Sequence, residues 1–401
     1  MTRLTAGVAA LVFLAGCSNP PTGGPRPPVA ITVAPELIVK RDSTKQIAAR
    51  VVDAQGREVP SAVIVYASGD TTIAKVSATG LLTGVHAGPT SLTLTSGTLT
   101  ATPSVAVLGA PPCSTTVTQP LTARPFGVAV SRQGVVYVGR ASADVLARTD
   151  LPATMFSASV AVRREPTYVT FDTTGAQAYV TNQFAQLVSI VDVGSNTQSD
   201  SIRVTGNPFI VRVSPDNSLL WVSSTVDTLY AINPMTKAVV ARFSMPLVPN
   251  GLAFNPANDS LMYASTLSAG TVEEINYKRL TRGRTFTLGA NLQGVVVSQD
   301  GGKLFVADEF GAALKVVNLA SGTVDTTVSL PGGPFDVQLS PDGTQLWISL
   351  SSSGRVQVLD RSTFAVLRTV LTGGTPRRMA FDRFGNTIVV ANESGWVDFV
   401  R

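Results

Sequence analysis

"PFDVQLSPDGTQLWISL", residues 334–350, holds the pattern that decides the fold of this chain. Pro334 begins a Val- and Leu-containing run, the turn "SPDG" reaches Gly343 nine residues later, and Trp347 follows in a second apolar run. Glycine and asparagine tolerate the positive φ that a tight hairpin demands, so two antiparallel strands should meet at Gly343. The segment therefore predicts a β-hairpin with a large aromatic side chain in its second strand.

The same pattern recurs along residues 113–401 with a period near 42 residues. A period of this size predicts a propeller or a solenoid. The seven anchors are Pro125, Pro166, Pro208, Pro249, Leu292, Pro334 and Pro376. The turn residues nine positions later are Gly134, Gly175, Asn217, Asn258, Gly301, Gly343 and Gly385. The second strands then carry Tyr137, Tyr179, Trp221, Tyr263, Phe305 and Trp347, with Val389 in the last copy.

The second copy contains "AYVTN" at 178–182, and with this spacing the segment 113–401 resembles the YVTN-type, YncE-like family of seven-bladed β-propellers. The resemblance implies four strands per blade. The last copy ends with a third strand, "GWVDFVR" at 395–401, whereas the segment that precedes the first anchor belongs to no blade. Because an open sheet edge would leave the ring unclosed, we expect residues 114–121 to complete blade seven. Propellers host many unrelated functions, so the resemblance implies a fold and not an activity.

Composition agrees with an all-β chain. Of 401 residues, 44% are hydrophobic and only 14% charged, with 34 Gly and 25 Pro, and no helical period appears after the first fifteen residues. The predicted fold class is an immunoglobulin-like β-sandwich followed by a seven-bladed β-propeller that an N-terminal strand closes.

The sandwich is predicted for residues 29–108, where short alternating strands are separated by turn signals. The run "VYASGDTTIAKVSATGLLTGVHAGPTSLTLTS" at 65–96 resembles the bacterial immunoglobulin-like domain, group 2. Tyr66 stands where that family usually has Trp. The resemblance implies a spacer or an adhesion module. The family pattern is carried by Ile73, Ala74, Val76, Gly80, Gly84 and Gly88.

The N-terminus is similar to a bacterial lipoprotein signal. Arg3 precedes the apolar run "LTAGVAALVFLA", which is short for a membrane span, and "LAGC" at 14–17 ends it. Residues 1–16 are thus predicted to be a signal peptide, and Cys17 the lipid-bearing residue that anchors the chain to a membrane. Ser18 follows Cys17, which is typical of outer-membrane lipoproteins. Residues 17–28 are rich in Pro and Gly and predict an extended tether.

A basic arc is predicted on one face of the ring, where loops between blades meet loops that join second to third strands. Blades seven, one and two are neighbours in a closed ring, so their arginines should lie close together. Guanidinium groups suit carboxylate or phosphate ligands, including acidic polysaccharide. The alternative is a solvated rim that Glu165 and Glu393 partly neutralise. The candidate ligand-binding residues are Arg124, Arg163, Arg164, Arg377 and Arg378.

Catalytic and cofactor motifs are absent from the sequence. The only histidine, His86, precedes the propeller, and there is no CxxC pair and no Gly-rich phosphate loop. No catalytic residue, cofactor or metal ligand is therefore assigned, although Asp308 and Glu309 are the nearest candidates for a carboxylate-only cation site. The net charge of +5 comes without a block of like charges, so nucleic acid is not indicated.

Together these patterns predict a non-catalytic binding or scaffold protein of the cell envelope. Its expected partners are a glycan, an anionic polymer or an envelope protein, and no pattern specifies an oligomeric state. Two alternatives remain open: a propeller enzyme of the lactonase or quinoprotein-like class, and a nucleic-acid-binding YncE-like protein.

Overall fold

The computed structural model describes residues 27–112, 115–289 and 291–401. These residues form β-strands joined by turns, with a single 3-10 turn at Gln183–Ala185 and no α-helix. No helix among them has the length and hydrophobicity needed to traverse a bilayer. The predicted signal peptide, Cys17 and most of the tether lie outside the described residues.

The first module is a β-sandwich, as predicted. Its hydrophobic core contains Leu82, Leu92, Leu94 and Val107, whose exposure is 0%. The strands are β1 (Ala30–Thr32), β2 (Glu36–Lys40), β3 (Thr44–Gln46), β4 (Arg50–Val52), β5 (Val65–Ser68), β6 (Ala74–Val76), β7 (Leu81–Gly84), β8 (Gly88–Ser96), β9 (Leu99–Ala101) and β10 (Ser104–Leu108). One sheet has the order β2-β10-β8-β5 with β9 on β8, a second has β3-β7-β6, and β1 pairs with β4.

The second module is a ring of seven four-stranded antiparallel sheets, which confirms the predicted propeller. After β11 (Thr116–Pro120), blades one to three are β12 (Pro125–Val130), β13 (Val135–Arg140), β14 (Val145–Asp150), β15 (Ala158–Ala161); β16 (Pro166–Phe171), β17 (Gln177–Asn182), β18 (Leu187–Asp192), β19 (Thr197–Arg203); and β20 (Pro208–Val213), β21 (Leu220–Ser224), β22 (Thr228–Ile232), β23 (Val239–Ser244).

Blades four to seven follow the same order, and the first strands of successive blades lie side by side around a central channel. Their strands are β24 (Pro249–Phe254), β25 (Leu261–Thr266), β26 (Thr271–Asn276), β27 (Thr281–Thr287); β28 (Leu292–Val297), β29 (Lys303–Asp308), β30 (Ala313–Asn318), β31 (Val324–Ser329); β32 (Pro334–Leu339), β33 (Gln345–Leu350), β34 (Arg355–Asp360), β35 (Val366–Leu371); and β36 (Pro376–Phe381), β37 (Ile388–Asn392), β38 (Trp396–Val400).

The turn residues adopt the expected positive φ in six blades, from 58° at Asn217 to 88° at Gly134. The exception is Asn258 in blade four, where the prediction of a left-handed residue is wrong. This copy is one residue longer than most, with Leu261 N bonded to Asn258 O at 3.3 Å. The extra residue gives the chain a wider loop, which reverses direction without a left-handed residue at that position.

The second-strand aromatics are buried, and several pack against the next blade. Trp347 has 0% exposure and meets Phe381 of blade seven edge-on, with ring centroids 5.7 Å apart. Tyr137 stacks on Phe171 of blade two at 5.5 Å. Large buried rings contribute strongly to core packing, so these residues join neighbouring blades as well as the strands of their own blade.

The ring is closed by the segment that precedes the first blade. β11 pairs antiparallel with β38, in a register that runs from Thr116 opposite Val400 to Pro120 opposite Trp396. The predicted closure is therefore confirmed, although the paired strand is shorter than residues 114–121. The closing sheet has the order β11-β38-β37-β36.

The sandwich lies on one particular face of the propeller. We name the face with the blade-to-blade connections and second-to-third strand loops the rim face, and the opposite one the hairpin face. Glu36 of the sandwich forms ion pairs with Arg132 (2.7 Å) and Arg383, both in first-to-second strand turns. Gly109 N also donates to Phe384 O at 2.7 Å. The sandwich therefore contacts the hairpin face, and the rim face lies on the other side.

Candidate functional site

A register shift that recurs in every blade orients the side chains at the rim-face end of the channel. In all seven blades the register between the first and second strands shifts directly after the anchor residue. Such β-bulges bend a strand and re-aim its side chains. The residues that follow the anchors are Phe126, Thr167, Phe209, Asn250, Gln293, Phe335 and Arg377.

Three of these side chains form an aromatic cluster across the channel. The ring of Phe126 in blade one lies 5.9 Å from Phe209 of blade three and 5.7 Å from Phe335 of blade six, both edge-on. Phe126 and Phe335 are 8% and 5% exposed. Because these contacts join blades that are not neighbours in the ring, the cluster extends into the channel near the rim face.

Above this cluster, two predicted arginines share one carboxylate. Glu393 Oε1 accepts from Arg124 Nη2 at 2.7 Å, and its Oε2 accepts from Arg377 Nε at 2.6 Å. Arg124 also pairs with Glu165 at 3.1 Å. Burial tends to raise the pKa of Glu393, but the hydrogen bonds from both arginines outweigh it and hold that pKa below its usual value. These two arginines are thus brought together, and each already has a carboxylate partner.

The prediction that Arg378 lies on the rim face is wrong, because its side chain is buried in the channel. Its side chain is 3% exposed and lies inside the channel, with Nη1 3.5 Å from Asp336 Oδ1. Its Nη2 is 3.4 Å from Asn250 Oδ1. The bulge explains the difference, because it lets two successive residues, Arg377 and Arg378, take different depths along the channel.

Arg163 and Arg164 remain exposed on the rim face, and neither guanidinium makes an ion pair with a described residue. The Arg164 guanidinium lies 5.9 Å from the ring centroid of Phe184, which is 53% exposed. The buried Asn182 holds the two loops together, since its Oδ1 accepts from Arg163 N at 2.9 Å. We call Arg163, Arg164 and Phe184 the blade-two cluster. An exposed aromatic ring stacked on one unpaired cation, with a second unpaired cation next to it in sequence, is a combination that binding surfaces favour.

Asp308 and Glu309 of blade five, the two candidate cation ligands, contact different residues. Asp308 accepts from Gly311 N at 2.9 Å and lies 3.6 Å from Lys315 Nζ. Glu309 accepts a hydrogen bond from Gln293 Nε2. No group of three or more His, Cys, Asp or Glu side chains in the described part of the chain is arranged to hold a metal ion.

Sequence reasoning missed the residues that fill the channel. The position after each anchor could have indicated them, because it holds Phe in three copies and Arg in a fourth. It could not indicate that Phe126 and Phe335 meet, because this contact joins blades one and six across the closed ring.

The fold is that of an immunoglobulin-like sandwich followed by a seven-bladed β-propeller. In agreement, residues 28–107 match the family model of the bacterial Ig-like domain (group 2). Among solved structures, the chain is similar to Kuenenia stuttgartiensis hydrazine synthase, with a TM-score of 0.64 and 20% sequence identity over 71% of this chain and 97% of that one. At this identity the likeness concerns the fold alone. No curated protein matches the chain.

Proposed function

We propose that this chain is a binding protein of the bacterial cell envelope whose propeller recognises an acidic glycan through its rim face. The sandwich acts as a spacer, and Cys17 carries the lipid that anchors the protein, in the outer membrane. Under this proposal, the propeller belongs to the YVTN-type, YncE-like group. It acts by recognition without catalysis.

The blade-two cluster carries this proposal. Unpaired guanidinium groups attract carboxylates, and an exposed aromatic ring offers a flat apolar surface to a sugar ring. The two arginines are exposed on a loop that hydrogen bonds fix in place, so little ordering is needed on binding. A polymer with repeated uronic acid units would meet both kinds of group at once.

The position of the sandwich supports the same arrangement. It contacts the hairpin face through Glu36 and Gly109, so the blade-two cluster is on the opposite side of the ring. A chain tethered through residues that precede the sandwich would present the rim face away from the tether. That orientation suits recognition of an extended polymer.

The proposal predicts saturable binding to polygalacturonate and none to dextran, a neutral polysaccharide. Arg163→Ala, Arg164→Ala and Phe184→Ala should each weaken binding about tenfold, because each removes a contact worth roughly 1–2 kcal/mol. Biolayer interferometry on immobilised polymer measures this. Arg279→Ala is the matched control, since Arg279 is exposed on the hairpin face and makes no ion pair among described residues.

Equal binding of the wild type and the blade-two variants would discard the cluster as the site. Tighter binding to double-stranded DNA than to polygalacturonate, with a steep loss on adding salt, would favour the nucleic-acid alternative instead. Glycan cleavage during the binding assay would contradict the non-catalytic part of the proposal.

A further inference from the structure

A column of alternating cations and aromatic rings runs through the channel from the rim face toward the hairpin face. Stacking of guanidinium groups on aromatic faces is favourable, more so where water is excluded. The successive guanidinium-to-ring distances are Phe126–Arg377 5.6 Å, Arg377–Phe335 4.6 Å, Phe335–Arg378 4.7 Å, Arg378–Tyr168 5.6 Å and Tyr168–Arg212 5.4 Å.

The last cation of this column differs from the other two. Arg377 pairs with Glu393 and Arg378 pairs with Asp336. The half-buried Arg212 side chain forms no ion pair or hydrogen bond with any described residue, and its Nε, like that of Arg378, is buried without an acceptor. Enclosing a charged group without a counter-charge is unfavourable. Arg212 is therefore the cation of the column that lacks a counter-anion among the described residues.

Space for that anion lies directly beside Arg212. Two adjoining cavities, of about 350 and 260 Å³, are both lined by Arg212, Thr170 and Gln338. The larger one also reaches the turn residues Arg132 and Asp382, so it opens on the hairpin face. We call these two joined cavities the hairpin-face funnel. Cavities that hold small ligands in proteins start at about 300 Å³.

The carboxylates at the mouth of this funnel do not neutralise Arg212. Asp172 is held by its own turn, with Thr174 Oγ1 donating to it at 2.6 Å. Asp382 likewise accepts from Asn386 N at 2.7 Å. Neither carboxylate forms an ion pair with Arg212. Both carboxylates are held by backbone and hydroxyl donors of their own turns, so neither is the ion-pair partner of the Arg212 guanidinium.

We infer that the hairpin-face funnel binds a small organic anion, whose carboxylate or phosphate group pairs with the Arg212 guanidinium. The remainder of the ligand, up to the size of a monosaccharide, occupies the joined cavities beside Thr170 and Gln338. This site is separate from the blade-two cluster, which lies on the other face of the ring.

Isothermal titration of the full chain with galacturonate and, separately, with inorganic phosphate tests the inference. At least one of these anions should bind one-to-one, and the tighter of the two identifies the group that Arg212 receives. Arg212→Gln should weaken that binding about tenfold or more, the loss expected for a charge-assisted contact. Arg242→Gln should leave it unchanged, because Arg242 stacks on Tyr230 at 5.8 Å on an outer strand, away from the funnel.

Equal affinity of the wild type and Arg212→Gln would overturn the inference, and so would the absence of binding of both anions to the wild type. A second measurement does not depend on a variant that folds. The midpoint of thermal unfolding of the wild type should rise with galacturonate or phosphate at constant ionic strength, and not with galactose. A midpoint that neither anion raises would also reject the site.

Failure of the small-anion site can be distinguished from failure of the polygalacturonate site, because each site is tested with its own variant. Arg212→Gln should bind polygalacturonate as the wild type does, and Arg164→Ala should bind the small anion as the wild type does. A shared loss in both assays would contradict the separation of the two sites.

Discussion

The carboxyl group of Asp398 lies at the contact between the first and last strands of the ring. It is 1% exposed and accepts hydrogen bonds from Thr118 Oγ1 at 2.5 Å and from Trp396 Nε1 at 3.2 Å. Burial raises its pKa from 3.8 to about 6, against the opposing effect of the two hydrogen bonds. A buried carboxylate with neutral partners favours the protonated form.

The acid form of Asp398 should therefore stabilise the fold. Its contribution is fully present below about pH 3.8 and is lost as the pH rises through about 6, with an upper limit of about 3 kcal/mol. Asp398→Asn, a neutral mimic, should remove this dependence. Urea unfolding of both proteins at pH 4.5 and pH 7.5 measures the difference, and parallel changes in the two proteins would contradict the assignment.

Individual site residues were predicted unevenly, for a physical reason. The loops of Arg124 and Arg377 follow from the repeat, and the structure brings both side chains to Glu393. Arg378 could not be placed from sequence, because the depth of neighbouring side chains in a bulged strand depends on local backbone geometry. No sequence pattern indicated Arg212 as a site residue, because its lack of an ion-pair partner depends on which side chains from several blades meet in the channel.

At the scale of elements, β11 is the strand that makes the propeller a closed ring. Its five residues pair with Trp396–Val400, and Leu121 N continues the contact with a bond to Gly395 O at 2.9 Å. Without β11, β38 would present unpaired backbone groups along an apolar strand whose Val397 and Phe399 are fully buried. Exposed edges of this kind promote association between chains.

A chain that begins at residue 122 should therefore aggregate or lose much of its stability, at roughly 1 kcal/mol for each lost backbone hydrogen bond. A chain that begins at residue 115 is the matched control, because it lacks the sandwich but retains β11. Light scattering and thermal unfolding compare the two. Equal monomer content and equal unfolding midpoints would show that β11 is dispensable.

At the scale of the molecule, Glu36 couples the two modules. It pairs with Arg132 and Arg383 from neighbouring blades, and its side chain is 25% exposed. Glu36→Gln should change global stability by less than about 1 kcal/mol, as partly exposed ion pairs do. It should nevertheless speed proteolysis of the linker at residues 109–115, because the sandwich separates more readily from the hairpin face.

Glu58→Gln is the control for that measurement, since Glu58 is an exposed residue of the sandwich without an ion pair among described residues. Identical cleavage rates in wild type and Glu36→Gln would mean that the ion pairs do not hold the modules together.

The architecture was predictable from the sequence to a greater extent than the sites. All seven copies repeat the spacing of anchor, turn and second-strand side chain, and only Leu292 and Val389 depart from the proline anchor and the aromatic. One irregular copy, such as that of Asn258, therefore does not change the fold. The arrangement of the sandwich on the hairpin face was not predictable. It depends on single contacts such as that of Glu36 with Arg132. Because such a contact occurs once, it leaves no repeated pattern in the sequence.

The position of β11 also has a mechanical consequence. A tensile force applied to the chain before residue 115 acts on the propeller along the axis of β11. The hydrogen bonds between β11 and β38 are perpendicular to that direction. All bonds of the ladder then resist shear together, and they are not peeled apart one at a time. The hydrogen bonds of Gly109 with Phe384 and of Arg368 with Pro112 share the load before it reaches the strand. Tension between the two modules is thus expected to load the ring-closing ladder of β11 and β38 in shear.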